Sequence, residues 1–314
     1  MNFRISAATW TAKFFLSTFL IFYLVQKTNA HDIKELFFGA NNKYFFIIFF
    51  LVLSQVILAV IRWKSLLAFI ANKNIFFFSL LKNYLSSLFI GNFLPGALGF
   101  DFFRYLFIKK QGVPFDKNLS ILIIDRFFML CSCLLISYLY FCVYLFRNNF
   151  SHFIYFVLFG ASCFFSFFFI KSFFFLLPSK ISSFLKKFSF IRSNFRNFLS
   201  LKFLGKYSVN ILFSVILNAL IVHLIFMSLR VFVPLIDCLF LGASILIVNS
   251  LPISFSGWGA REFYLIKILP LYQISFNVAL TFSFLYGISL FIISIPGVLL
   301  LISSIIGKKT TFPI

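Results

Sequence analysis

This chain is built from long apolar runs: about residues 8–26, 44–61, 119–146, 153–177, 208–229 and 276–306. Each is close to the ~20 residues that carry a helix across a hydrocarbon core of about 30 Å. In lipid, every backbone N–H and C=O must find its partner inside the protein, which a helix achieves locally. The pattern therefore points to an all-α polytopic membrane protein with six full transmembrane helices. Composition agrees. The chain is 62% hydrophobic and 11% charged, where a soluble domain carries about 25% charged residues. No polar stretch is long enough to fold apart, so residues 1–314 read as a single integral membrane domain. The first run, flanked by Arg4, Lys13 and Thr28-Asn29-Ala30, imitates a signal peptide. We expect it to stay as an uncleaved first helix, because further spans follow it.

Two more apolar regions are irregular. Residues 75–101 contain Gly91-Asn92-Phe93-Leu94-Pro95-Gly96 and Gly99. Residues 236–272 contain Asn249-Ser250-Leu251-Pro252-Ile253-Ser254 and then Gly257-Trp258-Gly259. Non-helical backbone at membrane depth is tolerated only when protein or a water-filled cavity surrounds it. We read each region as a re-entrant pair of half-helices, of opposite orientation in the two halves of the chain. Matched broken helices mark the central site of many transporters. The alternative is two ordinary kinked helices.

The net charge of +21 could suggest nucleic acid, but Lys and Arg cluster between the apolar runs, where they set topology. With the N-terminus inside, segments 62–74, 101–118 and 178–207 become cytoplasmic and hold most of the basic residues. Lys308 and Lys309 then return to the cytoplasm. The expected location is a bacterial cytoplasmic membrane with both termini inside. Residues 179–207 carry seven basic residues and no acid. Apolar positions at Ile181, Phe184, Leu185, Phe188, Ile191, Phe195 and Phe198 recur at helical spacing. They outline an amphipathic interfacial helix, with Lys186, Lys187, Arg192 and Arg196 on anionic lipid headgroups; a basic loop that fixes orientation is equally compatible. The five cysteines and three histidines fit no metal or redox spacing, and no cofactor motif is present.

Only seven residues are acidic, and Asp101, Asp125, Asp237 and Glu262 lie within or against apolar segments. A charge in hydrocarbon costs about 2.5–3.5 kcal/mol even on lenient insertion scales, so these carboxylates need partners or a task. Pro95, Gly96 and Gly99 break the first region, and a helix restarting near Gly99 would aim its N-terminus, favourable to anions, at the break. Asp101 would then cap that helix or pair with Arg104, and Arg104 could instead grip a phosphate. Asp125 and Arg126 are adjacent and diverge by about 100° on a helix, so each should seek a partner on another helix. In the second region, Ser254, Gly257, Gly259, Arg261 and Glu262 repeat the combination of small residues, an arginine and an acid. The candidate substrate-binding residues are therefore Asn92, Pro95, Gly96, Gly99, Asp101, Arg104, Asp125, Arg126, Ser254, Gly257, Gly259, Arg261 and Glu262, gathered in one shared polar pocket.

These residues carry a resemblance. N-x-L-P-G-x-x-G-x-D-x-x-R, then D-R, then L-P-I-S-x-x-G-x-G-x-R-E resembles the membrane half of bacterial lysylphosphatidylglycerol synthases and their stand-alone flippase-like relatives. It spans about residues 10 to 306. Phe100 departs from the pattern, standing where the family commonly has a second glycine before the aspartate. The resemblance implies an integral membrane fold whose best-known members move a cationic aminoacyl phospholipid between leaflets. The synthase half is a large soluble domain that does not follow here, so lipid aminoacylation is not expected.

The leading expectation is a flippase-like transporter of a lipid with a charged headgroup, with no catalytic residues. The alternatives are an intramembrane transferase acting on a lipid carrier, or an accessory subunit of a lipid or polysaccharide assembly machine. The expected partners are membrane phospholipid or glycolipid and a homo-oligomeric copy of the chain, and not nucleic acid.

Overall fold

The computed structural model describes residues 30–94, 96–148, 201–250 and 257–306. The expected spans at 8–26 and 153–177 fall outside these residues. So do Pro95, Ser254 and the basic positions Lys186, Lys187, Arg192 and Arg196.

The described residues form helices and no β-strand. In chain order they are α1 (Ala30–Phe38), α2 (Asn42–Ala71), α3 (Phe77–Asn92), α4 (Gly96–Lys110), α5 (Phe115–Asn148), α6 (Leu201–Ser228), α7 (Leu235–Ser250), α8 (Ala260–Ile268), a 3-10 turn (Leu269–Tyr272) and α9 (Phe276–Ile306). Four of them, α2, α5, α6 and α9, are long and apolar enough to cross a membrane. The protein is an all-α polytopic membrane protein.

α2 is longer than its apolar run suggested. Asn41 caps its start, the side chain accepting from Lys43 N at 3.1 Å. Asn72 ends it in the left-handed region, φ 52°, as C-terminal caps do. The expected end of this span at residue 61 is therefore corrected: the helix continues to Ala71, and Arg62 and Trp63 are buried. A buried arginine looks like the end of a span in sequence, yet here an acidic partner from α5 keeps it inside. Likewise, α6 begins at Leu201. Lys202, Lys206 and Tyr207 thus lie in the first turns of a spanning helix, and not on a separate interfacial segment.

α2 packs on α6, α6 on α7, α7 on α5, and α9 on α3. One apolar core runs through Ile48, Val52, Ile225, Phe226, Leu241, Leu265 and Phe282, with the Phe226 and Phe282 rings stacked 4.2 Å apart. A second gathers Val60, Trp63, Leu66, Ile108, Ile121, Tyr207 and Ile211. Outward faces of the long helices stay apolar, with Phe46, Phe50, Leu134, Leu139, Phe213 and Leu299 all exposed. That surface suits lipid, not water.

The first irregular region is a hairpin, because α3 and α4 lie against each other. α3 and α4 have 16 and 15 residues, short of the ~20 needed to cross. At its tip, Leu94 N donates to Gly91 O at 3.2 Å. The hairpin is anchored to α9 by two hydrogen bonds: Asn92 Nδ2 to Ser294 Oγ at 3.0 Å and Ser86 Oγ to Gly297 O at 3.1 Å. Gly297 follows Pro296 inside α9, and a Cβ there would collide with the Leu85 carbonyl. α7 and α8, with 16 and 9 residues, flank the second irregular region.

Candidate functional site

The charged residues of α4 and α5 meet those of α2 in one buried chain of alternating sign. Asp125 sits at its centre. Its Oδ1 accepts from Arg62 Nε at 2.6 Å and from the Tyr207 hydroxyl at 2.9 Å. Its Oδ2 accepts from Arg104 Nη1 at 3.2 Å. The same Arg104 nitrogen reaches Asp101 Oδ1 at 3.3 Å, and Arg126 Nε donates to Asp101 Oδ2 at 2.8 Å. Asp125 and Arg126 thus turn to different partners, as helical geometry requires of neighbours.

This network holds three guanidiniums and two carboxylates, an excess of one positive charge among the described residues. Arg104 is 2% exposed, and its Nε and Nη2 have no hydrogen-bond partner among the described residues. Aromatic faces surround it instead: its guanidinium lies 4.6 Å from the Trp63 ring centre, 5.2 Å from Phe100 and 5.6 Å from Tyr84. Cation–π contacts of this kind are worth about 2 kcal/mol or more when desolvated, but they give the guanidinium N–H groups no oxygen acceptor. The indole N–H of Trp63 is also buried without a partner among the described residues. The network is most open at Arg126, whose side chain is 34% exposed.

α4 begins at Gly96 rather than near Gly99, so Asp101 stands in its second turn and cannot cap it. Phe100, the departure from the family pattern, has a defined place. Its Cβ lies against Gly91, whose lack of a side chain admits it. Its ring packs edge-to-face on Tyr84 at 4.9 Å and covers both Arg104 and Arg126.

The second constellation forms a separate network. Gly257 and Gly259 take φ of 86° and 92°, which favours glycine, and a Cβ on Gly257 would strike the Asn249 side chain. Glu262, at the third position of α8, reaches back to accept from Gly259 N. Its Oε1 accepts from Arg261 Nη2 at 2.9 Å and from Ser283 Oγ at 2.6 Å. Arg261 Nε in turn donates to Ser283 Oγ at 2.7 Å. The Arg261 guanidinium rests on Trp258 at 5.0 Å and Tyr286 at 5.4 Å. The Tyr286 hydroxyl donates to Asn218 Oδ1, whose amide donates to Gly242 O. This unit is electrically neutral, and Arg261 and Glu262 are each 1% exposed. It locks α8 to α9, α6 and α7.

The two networks share no residue, and none of the hydrogen bonds and ion pairs above joins them. Asp101, Arg104, Asp125 and Arg126 come together; Gly257, Gly259, Arg261 and Glu262 form the other group. Asn92 belongs to neither, holding the hairpin tip to α9. Asp237 takes a hydrogen bond from the Tyr140 hydroxyl at 2.6 Å. Arg62, Trp63 and Tyr207 are site residues that sequence reasoning missed. The available signal was an arginine inside a helix that a span-length rule had ended too early.

No curated protein matches this chain. The family described as the lysylphosphatidylglycerol synthase TM region matches residues 10–297, nearly the whole of the sequence, and the chain belongs to that family.

Proposed function

We propose that the protein is a flippase-like transporter that moves a lipid with a charged headgroup between leaflets, without enzymatic activity of its own. The observation that carries this reading is the surplus cation of the Arg62–Asp125–Arg104–Asp101–Arg126 network. Burying an unbalanced charge costs several kcal/mol. Arg104 keeps two donor nitrogens unsatisfied in addition. A lipid phosphate reaching this network supplies both the missing negative charge and the missing acceptors. In the state described here those donors are hidden, so transport requires the α3–α4 hairpin to move against α2 and α5. We read both broken regions as re-entrant hairpins entering from opposite faces, in a bacterial cytoplasmic membrane with both termini inside. The neutral Arg261–Glu262 lock then acts as the fixed side against which the charged hairpin shifts.

The test is reconstitution in liposomes carrying reporter phospholipids, scored by the fraction accessible from outside over time. Wild-type protein should speed exchange, and Arg104→Ala and Arg126→Ala should each remove the gain. Equal exchange with and without protein, over anionic, zwitterionic and aminoacylated lipids, overturns the reading.

A further inference from the structure

A cleft lies between α2 and α6, lined by Ile61, Arg62, Ser65, Lys206, Tyr207 and Asn210. Its volume is about 70 Å³, enough for one compact polar group. Its two cations come from opposite walls. Lys206 is exposed on the first turns of α6, and its ammonium has no partner among the described residues. Arg62, on α2, spends Nε on Asp125 and reaches the Ser214 hydroxyl with Nη1 at 3.5 Å. Its Nη2 has no hydrogen-bond partner among the described residues. The Tyr207 hydroxyl at the same wall already donates to Asp125, so the floor of the cleft is continuous with the buried network. Ile61, on the cleft wall, is 40% exposed, and Val209 at 53% and Phe213 at 56% follow Lys206 at helical spacings of three and seven on α6.

We propose that this cleft binds the phosphodiester of an anionic phospholipid, between the Lys206 ammonium and the free edge of Arg62, with its acyl chains along Ile61, Val209 and Phe213. No acid on the cleft wall neutralises Lys206, and Asp125 already accepts from two arginines and a tyrosine. The apolar rim on two spanning helices favours a lipid over a soluble phosphate, because the ligand arrives from the side. The inference does not require that lipid cross the membrane, only that it dock here.

Native mass spectrometry of the purified full chain, titrated with phosphatidylglycerol, phosphatidylcholine and diacylglycerol, tests it. Phosphatidylglycerol should bind best and diacylglycerol worst. One interfacial lysine is worth about 1 kcal/mol toward anionic lipid, so Lys206→Ala should weaken phosphatidylglycerol roughly fivefold. Lys73→Ala, an exposed lysine outside the cleft, should leave it unchanged. A photoreactive phosphatidylglycerol should label residues 61–65 and 206–210. Equal loss with both lysine variants, labelling confined to other helices, or displacement of the lipid by millimolar inorganic phosphate would each overturn the assignment. The liposome assay reads separately: wild-type protein that binds here yet moves no lipid leaves the cleft standing and removes the transport reading.

Discussion

Replacing Asp125 by asparagine leaves Arg62 and Arg104 facing a neutral amide in a site from which water is excluded. Breaking a buried pair in this way costs about 3–5 kcal/mol. Arg126→Ala removes a side chain that is 34% exposed, and exposed ion pairs are worth about 0–1 kcal/mol. Thermal unfolding in detergent should therefore show a large loss for Asp125→Asn and a small one for Arg126→Ala. Tyr207→Phe, losing one hydrogen bond to the same carboxylate, should fall between them at about 1.5–3 kcal/mol. Equal losses for Asp125→Asn and Arg126→Ala would contradict a site built around Asp125. The Asp101–Arg104 contact and the divergence of Asp125 from Arg126 were legible because both follow from helical spacing alone. Arg62 and Tyr207 were not, because their partner lies 63 and 82 positions away in sequence. Periodicity carries no information on which distant helices become neighbours.

At the level of elements, the α3–α4 hairpin depends on one large and one small residue meeting across its two arms. Gly91 on α3 receives Phe100 from α4. Gly91→Leu alone should overpack the arms and cost about 1–3 kcal/mol. Phe100→Gly alone should uncover Arg104 and Arg126 and leave a void. The double variant restores the volume with the roles reversed, so the two changes should couple by at least ~1 kcal/mol in a double-mutant cycle. Strict additivity would show that the arms do not touch at that point. The sequence marked this region as broken through its glycines and proline. It placed the helical restart a turn too late, because Gly99 read as a breaker although it lies inside α4, where its small size makes room for Leu94. Glycine allows both uses, and only the neighbouring element decides between them.

For the whole molecule, the loops sort into two ends. Asn41 N donates to Ser228 O at 3.0 Å, tying the start of α2 to the finish of α6. The core on that side includes Ala40, Leu229, Val233, Leu269 and Ile274. At the other end, Ile70, Ala71, Ile108, Val113 and Tyr207 share a core, so the turns after α2 and α4 lie together. This is the grouping that alternating spans produce, with the α3–α4 hairpin entering and leaving at one end. The sequence could yield it because apolar run length and basic-residue placement are local properties that the bilayer itself imposes. On the proposed orientation, the end holding Lys73, Lys109 and Lys110 meets the cytoplasm. Impermeant maleimide on cells decides it. Cys131, Cys133, Cys142, Cys163 and Cys238 are first changed to serine, and single cysteines are then placed at exposed Lys73, Lys109, Arg230 and Ser275. Positions 230 and 275 should react in intact cells, and positions 73 and 109 only after the membrane is opened. The inverted pattern would place the positive end outside and refute the orientation. Labelling of positions 73 and 230 from the same side would contradict the two-ended bundle itself.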